Sequence, residues 1–300
     1  MKRNKELQGE GFILGGALLW GLFPVITVLS YSKLSPLISL SLSMMFAALF
    51  FSVILTIKKK WKEIANVSSF KDILYATFFI GILYYVFYFL CLTKTSPGNA
   101  SIVALTEVFF SFLLFHVFKK DFIPKAHIFG AILMVLGALV VLYPNIEKPQ
   151  IGDFFVMAAA FFAPFGNFFQ QKARKTTSSE GILFIRCFVS SITIFMLSLL
   201  LKVPFSWQHL QDSLWVFIVN GVLILGLSKI FWLEGIHRIS VTKAVALESI
   251  SPLLTLTFAW IFIKTHPTIW QLLAFVPMFF GILLLSKKTD HTIAIEVQDK

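Results

Sequence analysis

From Gly11 to Ser286 the chain passes through ten apolar runs of about twenty residues each, parted by short turns carrying Pro, Gly, Asn or Lys. A helix of that length crosses the roughly 30 Å hydrocarbon core of a bilayer, and inside lipid a backbone satisfies its own polar groups only as a helix or a closed barrel. The runs fall near 11–31, 36–57, 72–92, 98–118, 126–143, 152–169, 181–201, 214–234, 241–262 and 268–286. They predict an all-α polytopic membrane protein with ten transmembrane helices. Hydrophobic residues make up 57 % of the sequence and charged residues 14 %, outside the usual mix of a soluble domain. The opening MKRNKELQGEG and the run behind it resemble a signal peptide. That run is too long and lacks a small-x-small site, so it is expected to remain as the first helix.

The formal charge of +11 does not point to nucleic acid, because the basic residues sit in clusters between the apolar runs. Lys58, Lys59, Lys60, Lys62 and Lys71 lie in one inter-span segment, and Lys172, Arg174 and Lys175 in another. Both segments fall on the same side as Lys2, Arg3 and Lys5, which places both termini in the cytoplasm by the positive-inside rule. No cofactor or metal centre is expected: Cys91 and Cys187 lie in apolar runs, the histidines lack ligand spacing, and no GxxxxGK[ST] run occurs.

One half of the sequence echoes the other. DILYATFFIGIL from Asp72 recurs as DSLWVFIVNGVL from Asp212, an offset of 140, and VAL recurs at 103–105 and 245–247. The first and sixth runs each open with a glycine, Gly11 and Gly152, and each holds a proline, Pro24 and Pro164. Five spans per half is an odd number, so the second half enters the membrane from the opposite side. The predicted plan is two inverted five-helix repeats, a recurring architecture of secondary transporters. It divides the chain into a cytoplasmic N-terminus (1–10), a first repeat (11–143), an external linker (144–151), a second repeat (152–286) and a cytoplasmic tail (287–300).

LLWGLFPV in the first run, Arg186 in GILFIRCFVSS, Pro252 in ESISPLLTL and the GAILMVLGAL run together resemble the EamA-type branch of the drug/metabolite transporter superfamily. The resemblance implies a multi-pass carrier of the inner or plasma membrane, often an exporter, for amino acids, sugars or other small metabolites. It also implies that the fifth and tenth spans brace the rest.

Polar residues inside the runs mark the candidate site. Glu107 stands in ASIVALTEVFFSFLLF with no other charge around it, and a charge at the centre of a span costs roughly 2.5 to 3.5 kcal/mol on translocon scales. Ala100, Ala104, Glu107 and Ser111 share a helical face, as do Ala244, Glu248, Ser251 and Thr255. Both glutamates are therefore expected to point inward, as functional or as structural groups. At about 1.5 Å per residue Glu107 falls near the midplane, with no cation at its depth. Glu248, Lys229 and Arg186 fall on the order of 8 to 12 Å from the cytoplasmic edge. Lys229 and Glu248 are expected to pair across two spans, whereas snorkelling to the headgroups is the alternative for Lys229 and Arg186. Tyr84, Tyr85 and Tyr88 share one face, as an aromatic wall for a solute or as interface anchors. Asn167 and Asn220 add neutral donors and acceptors, and Trp20 either packs near the axis or meets ligand.

The reading is a carrier of a small amphipathic solute such as an amino acid, working by alternating access and driven by protons or by the solute's own gradient, with Glu107 either exchanging a proton or meeting the ammonium of an amine solute. Its partners are that solute and the lipid bilayer; a homodimer is compatible, and nucleic acid is not. The alternatives are an intramembrane lipid-modifying enzyme, for which no nucleophile and base are grouped, and a scaffold, for which the loops are short.

Overall fold

The computed structural model describes residues 2–31, 34–65, 67–119, 125–145, 150–236, 238–239, 244 and 247–285. The 287–300 tail, most of the linker and Val245 of the second VAL lie outside them. Among the described residues the chain is helical throughout, without strands. Its main helices are α1 (Lys2–Ser30), α2 (Pro36–Ile57), α3 (Ser69–Cys91), α4 (Pro97–Leu114), α5 (Lys125–Leu142), α6 (Ile151–Ala173), α7 (Ser179–Leu200), α8 (Leu214–Gly235), α9 (Ser251–Ile263) and α10 (Ile269–Leu285). The chain is a multi-pass membrane protein.

Eight of these helices, α1 to α8, are long and apolar enough to cross a bilayer, while α9 and α10 are shorter, at 13 and 17 residues. Among the described residues the ten expected runs take the form of eight full-length helices and two shorter apolar ones. In the ninth run Ala244, Leu247 and Glu248 are helical among the described residues, and a turn at Ser249–Ile250 separates them from the α-helix that starts at Ser251. Serine followed by proline starts α2 and α4: Ser35 Oγ accepts from the Ile38 amide, and Ser96 Oγ from the Asn99 amide.

Exchanging each helix of α1–α5 with its counterpart in α6–α10 maps the main helix contacts onto one another. α1 packs on α8 and α9 as α6 packs on α3 and α4, and α2 meets α8 as α7 meets α3. α2 packs on α7, α4 on α9 and α5 on α10. Small residues permit the closest of these contacts, as in membrane helix pairs generally: the Cβ that Gly130 lacks would lie 3.0 Å from the Gly281 carbonyl, and that of Gly137 2.9 Å from the Ala274 carbonyl. The equivalence reaches the backbone. α3 is π-helical over Thr77–Tyr84 and α8 over Val219–Leu227, stretches that contain the offset pair Gly81 and Gly221. Lys59 after α2 and Lys202 after α7 both take left-handed φ, 54° and 51°.

The two loop ends differ in chemistry. Where the α2–α3 and α6–α7 turns meet, Glu180 pairs with Lys58 and with Lys60 (3.8 Å), Lys172 lies 3.2 Å from Asp72, and Glu63 accepts from the Ser178 amide at 3.0 Å. The exchange counterpart, the α1–α2 loop against the α7–α8 loop, is an apolar cluster of Leu34, Ile38 and Phe217 with Val203, Phe205 and Leu210.

The two glycines that open the repeats are not equivalent in packing. A Cβ on Gly152 would fall 2.7 to 2.8 Å from the backbone of Cys91, Lys94 and Thr95, whereas one on Gly11 meets nothing within 4 Å. Gly152→Ala is expected to destabilise by about 1 to 3 kcal/mol, since a backbone cannot rotate away. Gly11→Ala is expected to be neutral or stabilising by about 0.5 to 1 kcal/mol through helix propensity. Melting of the two variants in detergent compares them directly.

Candidate substrate site at the broken helices

α4 is discontinuous. An α-helical segment ends at Ala104, a second begins at Thr106, and around Leu105 the bonds shorten to i→i−3, with Leu105 N–H to Ile102 and Val108 N–H to Leu105. Glu107 thereby occupies the first turn of a new helical segment, where exposed amides and the helix dipole favour a carboxylate. A second break precedes α9: Ile250 N–H bonds Leu247, Leu253 N–H bonds Ile250, and Glu248 stands immediately before the Ser249–Ile250 turn, on the other side of its break from Glu107. Interrupted helices with half-helix ends are how transporters build polar sites inside a membrane.

Glu107 is partly buried, and its Oε1 accepts a 2.8 Å hydrogen bond from Asn167 Nδ2 on α6. The sequence marked both residues but did not join them. It also left Glu107 without a cation at its depth; Lys229 lies within electrostatic range of both Glu248 and Glu107, and among the described residues no ion pair joins it to either, so the expected Lys229–Glu248 pair is a loose one. Depth counted along regular α-helices fails because α8 reaches Lys229 through a π-helical stretch and the α-helical bonding of α4 is interrupted at Leu105. Nor does Lys229 snorkel. Its ammonium lies 3.7 Å from the centroid of the Trp20 indole, a cation–π contact, and Trp20 in turn stacks on Phe23 at 4.9 Å. Trp20 therefore packs near the axis and covers a charged group at the same time.

Arg186 is 4 % exposed, which removes the snorkelling alternative for it as well. Its Nη1 donates to Gln170 Oε1 at 2.6 Å. Gln170 was missed in the sequence; its one signal was a place three residues after Asn167, on the same side of α6. Tyr84, Tyr85 and Tyr88 are all buried in the main core around Phe23, which corrects the interface-anchor alternative. Tyr85 feels the charge of both Arg186 and Glu107. Asn220 stands apart: fully buried, it donates to Thr27 Oγ1 at 3.2 Å in the α1–α8 contact. The structure thus brings together Glu107, Asn167, Glu248, Lys229 and Trp20, and sets Arg186 with Tyr85 beside them.

A cavity of about 580 Å³ opens at the end carrying the α2–α3 and α6–α7 turns. Lys58, Glu63, Arg174 and Glu180 line it toward the outside, and Ile230 and Leu233 line it on α8, next to Lys229 in sequence.

Comparison with known proteins decides the family. Two successive stretches, 7–143 and 150–287, each match the model of the EamA-like transporter family. The chain belongs to the EamA-like transporter family. Among similar proteins, an uncharacterized transporter of Bacillus subtilis (strain 168), YoaV, is 21 % identical over 280 residues, covering 91 % of this chain and 94 % of its own length. An uncharacterized transporter of Methanothermobacter thermautotrophicus is 27 % identical over 65 % of this chain and 58 % of that protein. A third, from Synechocystis, is 19 % identical over 65 % and 59 %. The chain therefore spans less than two thirds of the length of the last two. A protein crystal structure superposes with a TM-score of 0.68 at 16 % identity over 100 % of both chains, which is a likeness of fold.

In this EamA-like chain the polar closure titrates. Hydrogen bonds from Ser178 hold the Glu63 carboxyl below the usual carboxylate range. A folded-state pKa below the unfolded value of about 4.3 means that the contact stabilises fully above that value and loses its effect as pH falls through the lower one. Glu63→Gln is expected to lower the melting temperature at pH 7, and its difference from wild type is expected to close below about pH 4. A pH series of melting curves reads both.

Proposed function

We propose that the protein is a secondary carrier of a small amphipathic metabolite, such as an amino acid, working by alternating access between two inverted five-helix repeats. The observation that carries this reading is that both intramembrane glutamates sit at helix breaks, Glu107 just after the one in α4 and Glu248 just before the turn that precedes α9, with Lys229 within electrostatic range of both. The exchange of packing partners between halves supports the repeat plan, and the two family matches support one unit per half. With five helices in each, parity makes the second unit inverted, and a pocket between inverted units faces each side in turn.

In this mechanism α9 and α10 complete the second bundle, α5 and α10 brace the two bundles, and α1, α3, α4, α6, α8 and α9 surround the solute. Glu107 exchanges a proton as the pocket changes side, while Asn167 holds its carboxylate in register. Trp20 with Lys229 supplies a flat, positively charged wall. The carrier resides in the plasma membrane with both termini in the cytoplasm, and net movement is outward. Transport, not catalysis, is the fitting chemistry for relatives that are themselves named transporters.

The test is flux in liposomes, with a panel of amino acids screened by counterflow. Glu107→Gln is expected to lower proton-driven flux by roughly ten- to a hundredfold, the worth of one lost charged hydrogen bond, and to flatten its pH dependence while counterflow persists. Unchanged flux and pH dependence would take Glu107 out of the mechanism.

A further inference from the structure

α7 carries a polar pattern that the glutamate pair does not use. Arg186 and Ser190 are one helical turn apart and share a face, which lies on the π-helical stretch of α3. The Cβ that Gly81 lacks would fall 2.3 Å from Ser190 Oγ and 3.0 Å from Arg186 Cγ. Both side chains are buried, Arg186 at 4 % exposure and Ser190 at 0 %. Gln170 takes one guanidinium proton, but Arg186 Nε and Ser190 Oγ bond to nothing among the described residues.

The charge is equally unmatched. No ion pair joins Arg186 to a described carboxylate, and Lys229, a group of the same sign, lies within its electrostatic reach. A buried guanidinium without a counter-charge is strongly disfavoured unless something anionic meets it. Two idle donors one turn apart select an oxyanion over a cation. The planar guanidinium fork matches a carboxylate in particular.

We propose that Arg186 and Ser190 form an anion-binding subsite that takes a carboxylate of the carried solute, with Gln170 as a positioning residue for the guanidinium. This rests on the carrier reading for the identity of the anion's owner, not for the existence of the subsite. It turns the site toward acids and zwitterions and away from purely cationic compounds.

Formate is the probe, because the smallest carboxylate reaches any carboxylate site. Added to purified wild-type protein at constant ionic strength in place of chloride, it is expected to raise the melting temperature along a saturating curve. Ser190→Ala is expected to weaken the apparent affinity roughly two- to tenfold, and Arg186→Lys about tenfold or more, since an ammonium cannot form the fork. Arg186→Met, free of an unpaired buried charge, is expected to melt no lower than wild type without formate and to ignore formate. A linear or absent response in wild type, or one undiminished in Ser190→Ala and Arg186→Lys, overturns the subsite while leaving the carrier reading intact. Saturable formate binding without flux of any solute overturns the carrier reading and leaves the subsite.

Discussion

Inside lipid no water stands ready to bond an amide or a carbonyl, so each main-chain group must find its partner within the protein. That requirement makes the fold helical, and it also makes every interruption of a helix costly. The interruptions here are therefore informative: Leu105 in α4, Ser249–Ile250 before α9, and the π-helical stretches of α3 and α8. They fall in helices that carry or face the intramembrane charges. A break that frees amides beside Glu107 offsets part of the cost of holding a carboxylate there.

The two halves are alike in backbone and unlike in side chains. Gly81 and Gly221 occupy matching π-helical stretches and press on α7 and α2 respectively, yet Gly81 faces Ser190 and Arg186, whereas Gly221 faces Phe46 and the Ser43 carbonyl. Likewise Thr27 and Asn167, at the same offset of 140, bond Asn220 in one half and Glu107 in the other. Duplication supplies the paired geometry, and divergence at these positions sets charged side chains at one member of each pair and neutral ones at the other.

What could be read from the sequence was what hydrophobicity and charge encode. The apolar runs gave the spans, and Glu107, Lys229, Arg186 and Glu248 stood out because charges are rare inside such runs. The break at Leu105 was not legible: VALTEV holds neither Gly nor Pro, so nothing local announces a change of register. Without that break, and without the π-helical stretch before Lys229, counting residues put Glu107 and Lys229 at separate depths. Gln170 and Ser190 were passed over for another reason. Neutral polar side chains are common in spans, and only burial without a partner distinguishes Ser190. The tyrosine face was legible as a face, but only the packing around Phe23 decides which way it points.

The unlike chemistry of the two loop ends makes them answer to different stresses. At one, the lysines on Glu180 and the Asp72–Lys172 pair are held by Coulomb attraction, which a Debye length of about 8 Å at physiological ionic strength already weakens. At the other, Leu34, Ile38 and Phe217 are held by the exclusion of water, which salt scarcely touches and cooling loosens. The two loop ends therefore differ in what loosens them, salt at one and cold at the other, although the helices around them follow one plan.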